Sequence, residues 1–482
     1  MISRRRLLIL AVLVVPALGI GVLWTFEHVG RVPTYADTHQ YLRAARQLKV
    51  DEYRGIAYPG LLAVVDRLHP GPSILARRAP GQSWIQASQM ALCAGALTYF
   101  VAVLLPFGRP AFTRGGQGGR WALGLLVLLL LLDPLVSHFN LSLMPDALAL
   151  SGSLVFCAAF VDFLRRSSPV WVSGALLSIG YLVLANTRAE KNFVLLATGL
   201  TTIAITWWLG RRRYRERLAP ASRLLAAAAI IALGFAATMV VQRATYKPRG
   251  RMTTSEWILH HRIIYPHLSA VYERLPDHLK RQIPPRQARR YDLNISSPRR
   301  VLKTISLRID ISSAFTRELA VIVAREYWPA IGLDIVRDTG ENVFASLSFY
   351  FRLGALAIGG EETSRAWFPS GGSRYTYTKL AEVRPALSLA YLASAAILLL
   401  AAIFASILVA LRKCPKEESL SRQTTLEQWL PVASFCLFNA LAFSLTADLV
   451  HIRYTLFAHT VFLALALRGL AEWAIAARPV MG

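Results

Sequence analysis

The feature that most constrains this chain is a succession of long runs with almost no charge. Each approaches the roughly 20 apolar residues that a helix needs to cross a hydrocarbon core. They fall near 6–26, 83–106, 121–137, 145–164, 170–187, 191–210, 222–242, 386–411, 429–447 and 455–474. Inside lipid, backbone amides must be satisfied within the segment, so such runs fold as helices. The expected fold class is an all-α polytopic membrane protein of about ten transmembrane helices. Its 54% hydrophobic content and mean hydropathy of +0.41 are too apolar for a soluble chain of 482 residues.

Short basic loops set the orientation, because cytoplasmic loops are enriched in Lys and Arg. Arg4, Arg5 and Arg6 precede the first span, and Arg109, Arg114 and Arg120 lie between spans two and three. Arg165 and Arg166 follow span four, Arg211, Arg212, Arg213, Arg215 and Arg217 follow span six, and Arg412, Lys413 and Lys416 follow span eight. All fall on one side if ten spans leave both termini inside. The first span has a basic flank but no small-residue cleavage site before Phe26-Glu27-His28, so it reads as a retained signal anchor.

A net charge of +26 would point to nucleic acid in a soluble protein. Here positive-inside loops and anionic lipid account for much of it, and no nucleic-acid partner is expected. The segment 243–385 carries 23 Lys/Arg against 13 Asp/Glu, and a loop of that length escapes the positive-inside rule. Phosphate-bearing ligands or anionic lipid surfaces would explain the excess, as would a generally Arg-rich composition. The chain thus divides into an N-terminal transmembrane module (1–242) with a first outer loop (27–82), a large basic outer loop domain (243–385), and a C-terminal transmembrane module (386–482).

Both outer segments read as largely helical. From Thr38 to Lys49, Tyr41, Leu42, Ala45 and Leu48 recur at helical spacing, which suits an amphipathic helix in the membrane interface. Pro59 is expected to break the next segment, with Gly60–Val65 restarting an apolar stretch. In the large loop, polar helices alternate with Pro-rich breaks. No Walker loop, dinucleotide fingerprint, G-x-S-x-G elbow or zinc spacing occurs. The glycine-rich run 115–119 has no preceding strand and reads as a linker. Of the four cysteines, Cys93, Cys157 and Cys436 lie in expected spans and Cys414 in an inner loop, so they form no outer disulfide framework.

Charged residues at membrane depth are functional candidates by default. On the outer side these are Asp37 and Arg54 in the first loop, Asp146 at the start of span four, Arg188, Glu190 and Lys191 in the turn before span six, and Asp448, His451 and Arg453-Tyr454 before the last span. Each has a plainer reading. Asp37 suits an N-cap for a helix starting at Thr38, and Asp146 suits the first turn of span four. Arg188, Glu190 and Lys191 read equally as a solvated turn, and His451, Arg453 and Tyr454 as interfacial anchors. Asp133 with Pro134 reads as the end of span three.

The ordered combination Asp37, Tyr41, Arg54 and Tyr58-Pro59, then Met144-Pro145-Asp146, then Asn186–Glu190, then His451–Tyr454 resembles the C-type (GT-C) glycosyltransferase superfamily. It is similar to bacterial members related to protein O-mannosyltransferases and aminoarabinose transferases. The likeness covers residues 1–210 and 429–475, and Thr455-Leu456-Phe457 stand where a proline more commonly follows the Arg-Tyr pair. The resemblance implies transfer of a sugar from a polyprenyl-phosphate donor to an acceptor hydroxyl on a glycan, lipid or protein. The expected location is the bacterial inner membrane, with a periplasmic active site.

That chemistry needs a carboxylate for the hydroxyl and cations for the departing phosphate. Asp37 is the expected base, and Asp146 assists with the acceptor or holds a cation. Arg54 and Arg453, then Arg188 and Lys191, are expected on phosphate, since arginine donates two parallel hydrogen bonds. Tyr41, Tyr58, Glu190, His451 and Tyr454 are expected around the substrate. No cofactor is assigned with certainty, and a divalent metal is compatible. The competing classes are a lipid-linked glycan transporter or flippase and an O-antigen polymerase or ligase.

Overall fold

The computed structural model describes residues 4–31, 38–50, 55–76, 81–105, 117–165, 168–213, 221–245, 259–283, 317–342, 384–412, 418–446 and 455–475. Among them the chain is helical, without β-strands. The helices of the first half are α1 (Arg4–His28), α2 (Thr38–Gln47), α3 (Ala57–Leu68), α4 (Ser83–Leu104), α5 (Gln117–Leu131), α6 (Pro134–Leu141), α7 (Asp146–Arg165), α8 (Val170–Ala185), α9 (Ala189–Arg213) and α10 (Ala221–Thr245). A π-helical turn (Leu259–Ile264), α11 (Tyr265–Val271), α12 (Asp277–Gln282) and α13 (317–342) follow. The chain then returns to long apolar helices in α14 (Pro385–Arg412), α15 (Glu418–Thr446) and α16 (Leu456–Ile475).

Among the described residues six helices are long and apolar enough to cross a membrane, and a bent pair makes up to seven. These are the helices of a multi-pass membrane protein. Helix α7 is the centre, with almost every side chain buried, and it packs chiefly on α8 and α4. Small residues allow the α7–α8 contact: a Cβ on Gly180 would meet the Phe156 amide nitrogen at 2.8 Å. Helices α14 and α16 pack together, α1 lies on α14, and α9 packs on α15. The Trp24 indole donates to Ser388 Oγ at 3.0 Å, tying α1 to α14.

The third expected span, 121–137, is not one straight crossing. Helix α5 stops at Leu131 and α6 leaves it at 68°. Asp133 is extended, Pro134 occupies the first turn of α6, and the Asp133 carboxylate accepts from the amides of Leu135 (3.0 Å) and Val136 (3.2 Å). This is an N-cap followed by proline, a start signal for a new helix. The carbonyls freed by the break are covered. Ser137 Oγ donates to Leu131 O at 3.1 Å, and the Tyr391 hydroxyl donates to Leu132 O.

All of α6 is buried, and its far end is held by two glutamines of α4. Gln89 Nε2 donates to Asn140 O (2.6 Å) and Ser142 O (2.9 Å), and Gln86 Nε2 donates to Leu141 O (2.8 Å). Non-helical backbone survives inside a membrane protein only with such partners. Gln89→Leu orphans two buried carbonyls at about 1–3 kcal/mol each. Its thermal midpoint in detergent should drop clearly below wild type, and an unchanged midpoint would refute the clamp.

The first loop holds two helices as expected, with two local differences. Tyr41, Leu42 and Ala45 are buried on α2, but Leu48 lies past its end, exposed, with φ of 48°. Pro59 does not break a segment: it sits in the first turn of α3, where a missing amide hydrogen costs no helical bond. The buried face of α2 meets α3, where Tyr41 and Tyr58 stack edge-to-face at 5.4 Å.

Candidate functional site

Five of the expected residues come together where the first loop, the start of α7 and the start of α9 meet. Asp146 opens α7 and is buried, directly after the irregular stretch 142–145. Thr38, the first residue of α2, donates its hydroxyl to Leu143 O in that stretch at 3.3 Å. The α2–α3 hairpin is therefore fastened to the segment that delivers Asp146.

A second fastening is made through backbone alone. The Gly55 amide donates to Thr187 O at 3.2 Å and the Ala57 amide to Asn186 O at 2.8 Å. The approach is so close that a Cβ on Gly55 would lie 1.8 Å from Asn186 O. Only glycine fits there. This docks the start of α3, and with it Tyr58, onto the turn that carries Arg188.

Arg188 reaches back to Asp146, with Nη2 at 3.4 Å from Oδ1. Lys191 was expected in a turn but is buried in the first turn of α9, where its ammonium donates to Asn439 Oδ1 of α15. Asp146, Arg188, Lys191 and Asn439 line one small cleft. Ser153, Phe435, Leu456 and Phe457 complete much of the wall. The cleft therefore draws on both the first and the last thirds of the chain.

Two polar atoms beside this arrangement are buried without a hydrogen-bond partner among the described residues: Asp146 Oδ2 and the Tyr58 hydroxyl. Such groups are rare in native structures and call for a ligand or water. Burial pushes the Tyr58 hydroxyl well above the ordinary phenol range, and Tyr41 and Asp146 push the same way. Tyr58 is thus a neutral donor close to a carboxylate. The cleft offers an acceptor, a phenolic donor nearby and two cations, a set suited to a ligand bearing both hydroxyls and a negative charge.

Tyr41 supports Tyr58 and is itself buried. Glu190 is half-exposed in the first turn of α9 and does not line the cleft. Asp37, Arg54, His451, Arg453 and Tyr454 lie outside the described residues. Among the described residues no three His, Cys, Asp or Glu side chains come together as a metal-binding group.

Sequence reading missed Asn439, although an amide inside the apolar run FNALAF is the kind of polar residue at membrane depth that signals function. It also assigned Asp133 no partner. In the fold Asp133 Oδ1 accepts from His459 Nε2 of α16 at 3.1 Å, with both side chains buried. No family model matches this chain, and no curated protein matches it.

Proposed function

We propose that this chain is a membrane glycosyltransferase that moves a sugar from a polyprenyl-phosphate donor to an acceptor hydroxyl. The single observation that carries this reading is the cleft shared by Asp146, Arg188, Lys191 and Asn439, with the Tyr41–Tyr58 hairpin docked beside it. Chain neighbours of the remaining candidates meet the same place. Thr38 follows Asp37, Gly55 follows Arg54, and Leu456, in the cleft wall, stands two positions after Tyr454.

In this reading Asp37 accepts the proton of the attacking hydroxyl, which forms the new bond to the anomeric carbon as the lipid phosphate leaves. Arg54, Arg453, Arg188 and Lys191 stabilise that phosphate, and Asp146 and Tyr58 orient hydroxyls. We assign ten spans, adding α8, α9 and α15 to the apolar helices, with both termini cytoplasmic and the cleft on the periplasmic face of the bacterial inner membrane. The amphipathic α2 and the helices α11, α12 and α13 then stand on that outer face.

Asp37→Asn tests the base directly in membranes supplied with a polyprenyl-phosphate sugar donor. A positioned base contributes about 10²–10⁴-fold, so transfer should fall by that order, and near wild-type transfer removes Asp37 from the role. Arg54→Ala should raise the donor concentration needed, and an unchanged donor dependence counts against phosphate binding.

A second reading, transport of a lipid-linked glycan, is favoured by one feature: the broken α5–α6 span with its buried Asp133–His459 pair. Discontinuous helices line substrate paths in many transporters. The cleft lies elsewhere, and its charged residues are grouped at the starts of α7 and α9 rather than at that break, which favours the transferase.

A further inference from the structure

Helix α13 carries a feature the cleft does not use. One side of its first half closes a small separate core, in which Leu319, Ala320 and Val323 pack with Ile264, Leu268 and Leu279. The other side is apolar and open. Val321, Trp328 and Val336 are 65%, 70% and 69% exposed, and at 100° per residue they fall within one quarter-turn stripe that also takes in Arg325 and Glu318. Three of the helix's acids are drawn into ion pairs. Glu318 meets His278 at 2.8 Å, Glu326 meets Arg274 at 2.8 Å, and Glu341 meets Arg337 at 3.0 Å.

The C-terminal end of the helix is also tied to a long apolar helix. Asn342 Nδ2 donates to Ser444 Oγ on α15 at 3.1 Å, and both side chains are buried. At the other end, the Leu259–Ile264 turn packs on α15 and on the core that holds Leu319 and Val323. A helix of this length extends about 39 Å at 1.5 Å per residue. Asn342 thus holds the C-terminal end of α13 at the last turn of α15.

We infer that α13 lies on the membrane surface, with the Val321–Trp328–Val336 face set into the headgroup and upper acyl region of the lipid. Trp is at home at that depth, and an arginine on the same stripe reaches lipid phosphate while its stem stays apolar. Ser444 is about 7.5 Å along α15 from Asn439 in the cleft wall. The C-terminal end of α13 is therefore held close to the cleft wall.

The test uses full-length protein in nanodiscs of phosphatidylethanolamine and phosphatidylglycerol, doped with a phospholipid carrying a diazirine high on its acyl chain. After illumination, adducts are mapped on tryptic peptides. Adducts on 318–325 and 326–337, centred on Val321, Trp328 and Val336, with none on the α12 residues Asp277–Lys280, are the expected result. Trp328→Asp with Val336→Asp should lose the adducts on 326–337 while labelling of the apolar helices is unchanged. Unlabelled 318–337 beside labelled spans overturns the inference. So do adducts that persist in the double variant, or chain-to-chain cross-links through Trp328, which would assign the face to a second copy.

Discussion

Gly55→Val should abolish transfer and leave a protein measurably less stable than wild type. The added Cβ alone would stand 1.8 Å from Asn186 O, so the strand of backbone at 55–57 has to leave the 186–187 turn. Two backbone hydrogen bonds go with it, at about 1–3 kcal/mol for each group left buried and unpaired. The functional loss is expected to be larger than the stability loss suggests. Tyr58 and the chain following Arg54 are positioned by this docking, and a displacement of about 1 Å in a reacting group can cost roughly 100-fold in rate. Gly55→Ala should show the same effect in milder form. A Gly55→Val protein with wild-type melting and wild-type transfer would mean that the docking holds nothing the chemistry needs.

Arg188→Ala carries the second large effect. Asp146 is 3% exposed as a side chain and Arg188 12%, and the pair is 3.4 Å apart. Removing the cation leaves a carboxylate in a largely dry site, which for buried pairs costs about 3–5 kcal/mol. The long separation puts the expectation at the lower end. The double variant Arg188→Met with Asp146→Leu replaces both charges by apolar groups and should recover most of that stability. Transfer should stay absent in both. Thermal unfolding in detergent and donor-dependent transfer, measured on the same preparations, separate the two effects. Recovery of transfer in the double variant would reduce the pair to a structural element.

The long helices were legible because the signal is simple: a long uncharged run has to be a helix in lipid. Each of the ten expected runs coincides with a helix or, at α5–α6, with a bent pair, while six to seven meet the length and apolarity of a crossing by themselves. The bend itself was hidden. Asp133-Pro134 reads as an end, and nothing in the neighbouring sequence shows that Gln86, Gln89 and Tyr391, distant in the chain, satisfy the exposed backbone. Local pattern also misjudged Leu48 and Pro59. For Leu48 the helix ended before the period did, and for Pro59 the helix began earlier than a breaker suggests.

The candidate site was partly legible for a similar reason. Asp146, Arg188 and Lys191 stand out as charges flanking apolar runs, and Tyr41 and Tyr58 stand out in an amphipathic loop. Their meeting depends on contacts between distant segments. The Gly55–Thr187 pairing and the Lys191–Asn439 contact have no sequence signature, so the buried, paired state of Lys191 could not be told from a solvated turn. Glycine at 55 and asparagine at 439 are the residues that make the geometry; the glycine looks ordinary alone, and the asparagine stands out as an amide in an apolar run without showing its partner.

The transferase account is tested most directly by mass spectrometry of cell-envelope glycans. Three strains suffice: wild type, a deletion, and the deletion complemented with Asp146→Asn. The account predicts that one sugar residue disappears from an envelope glycan on deletion and is not restored by the variant, while the unsubstituted acceptor accumulates. An unchanged glycan profile with altered sidedness of a lipid-linked sugar would contradict it and assign the chain to transport.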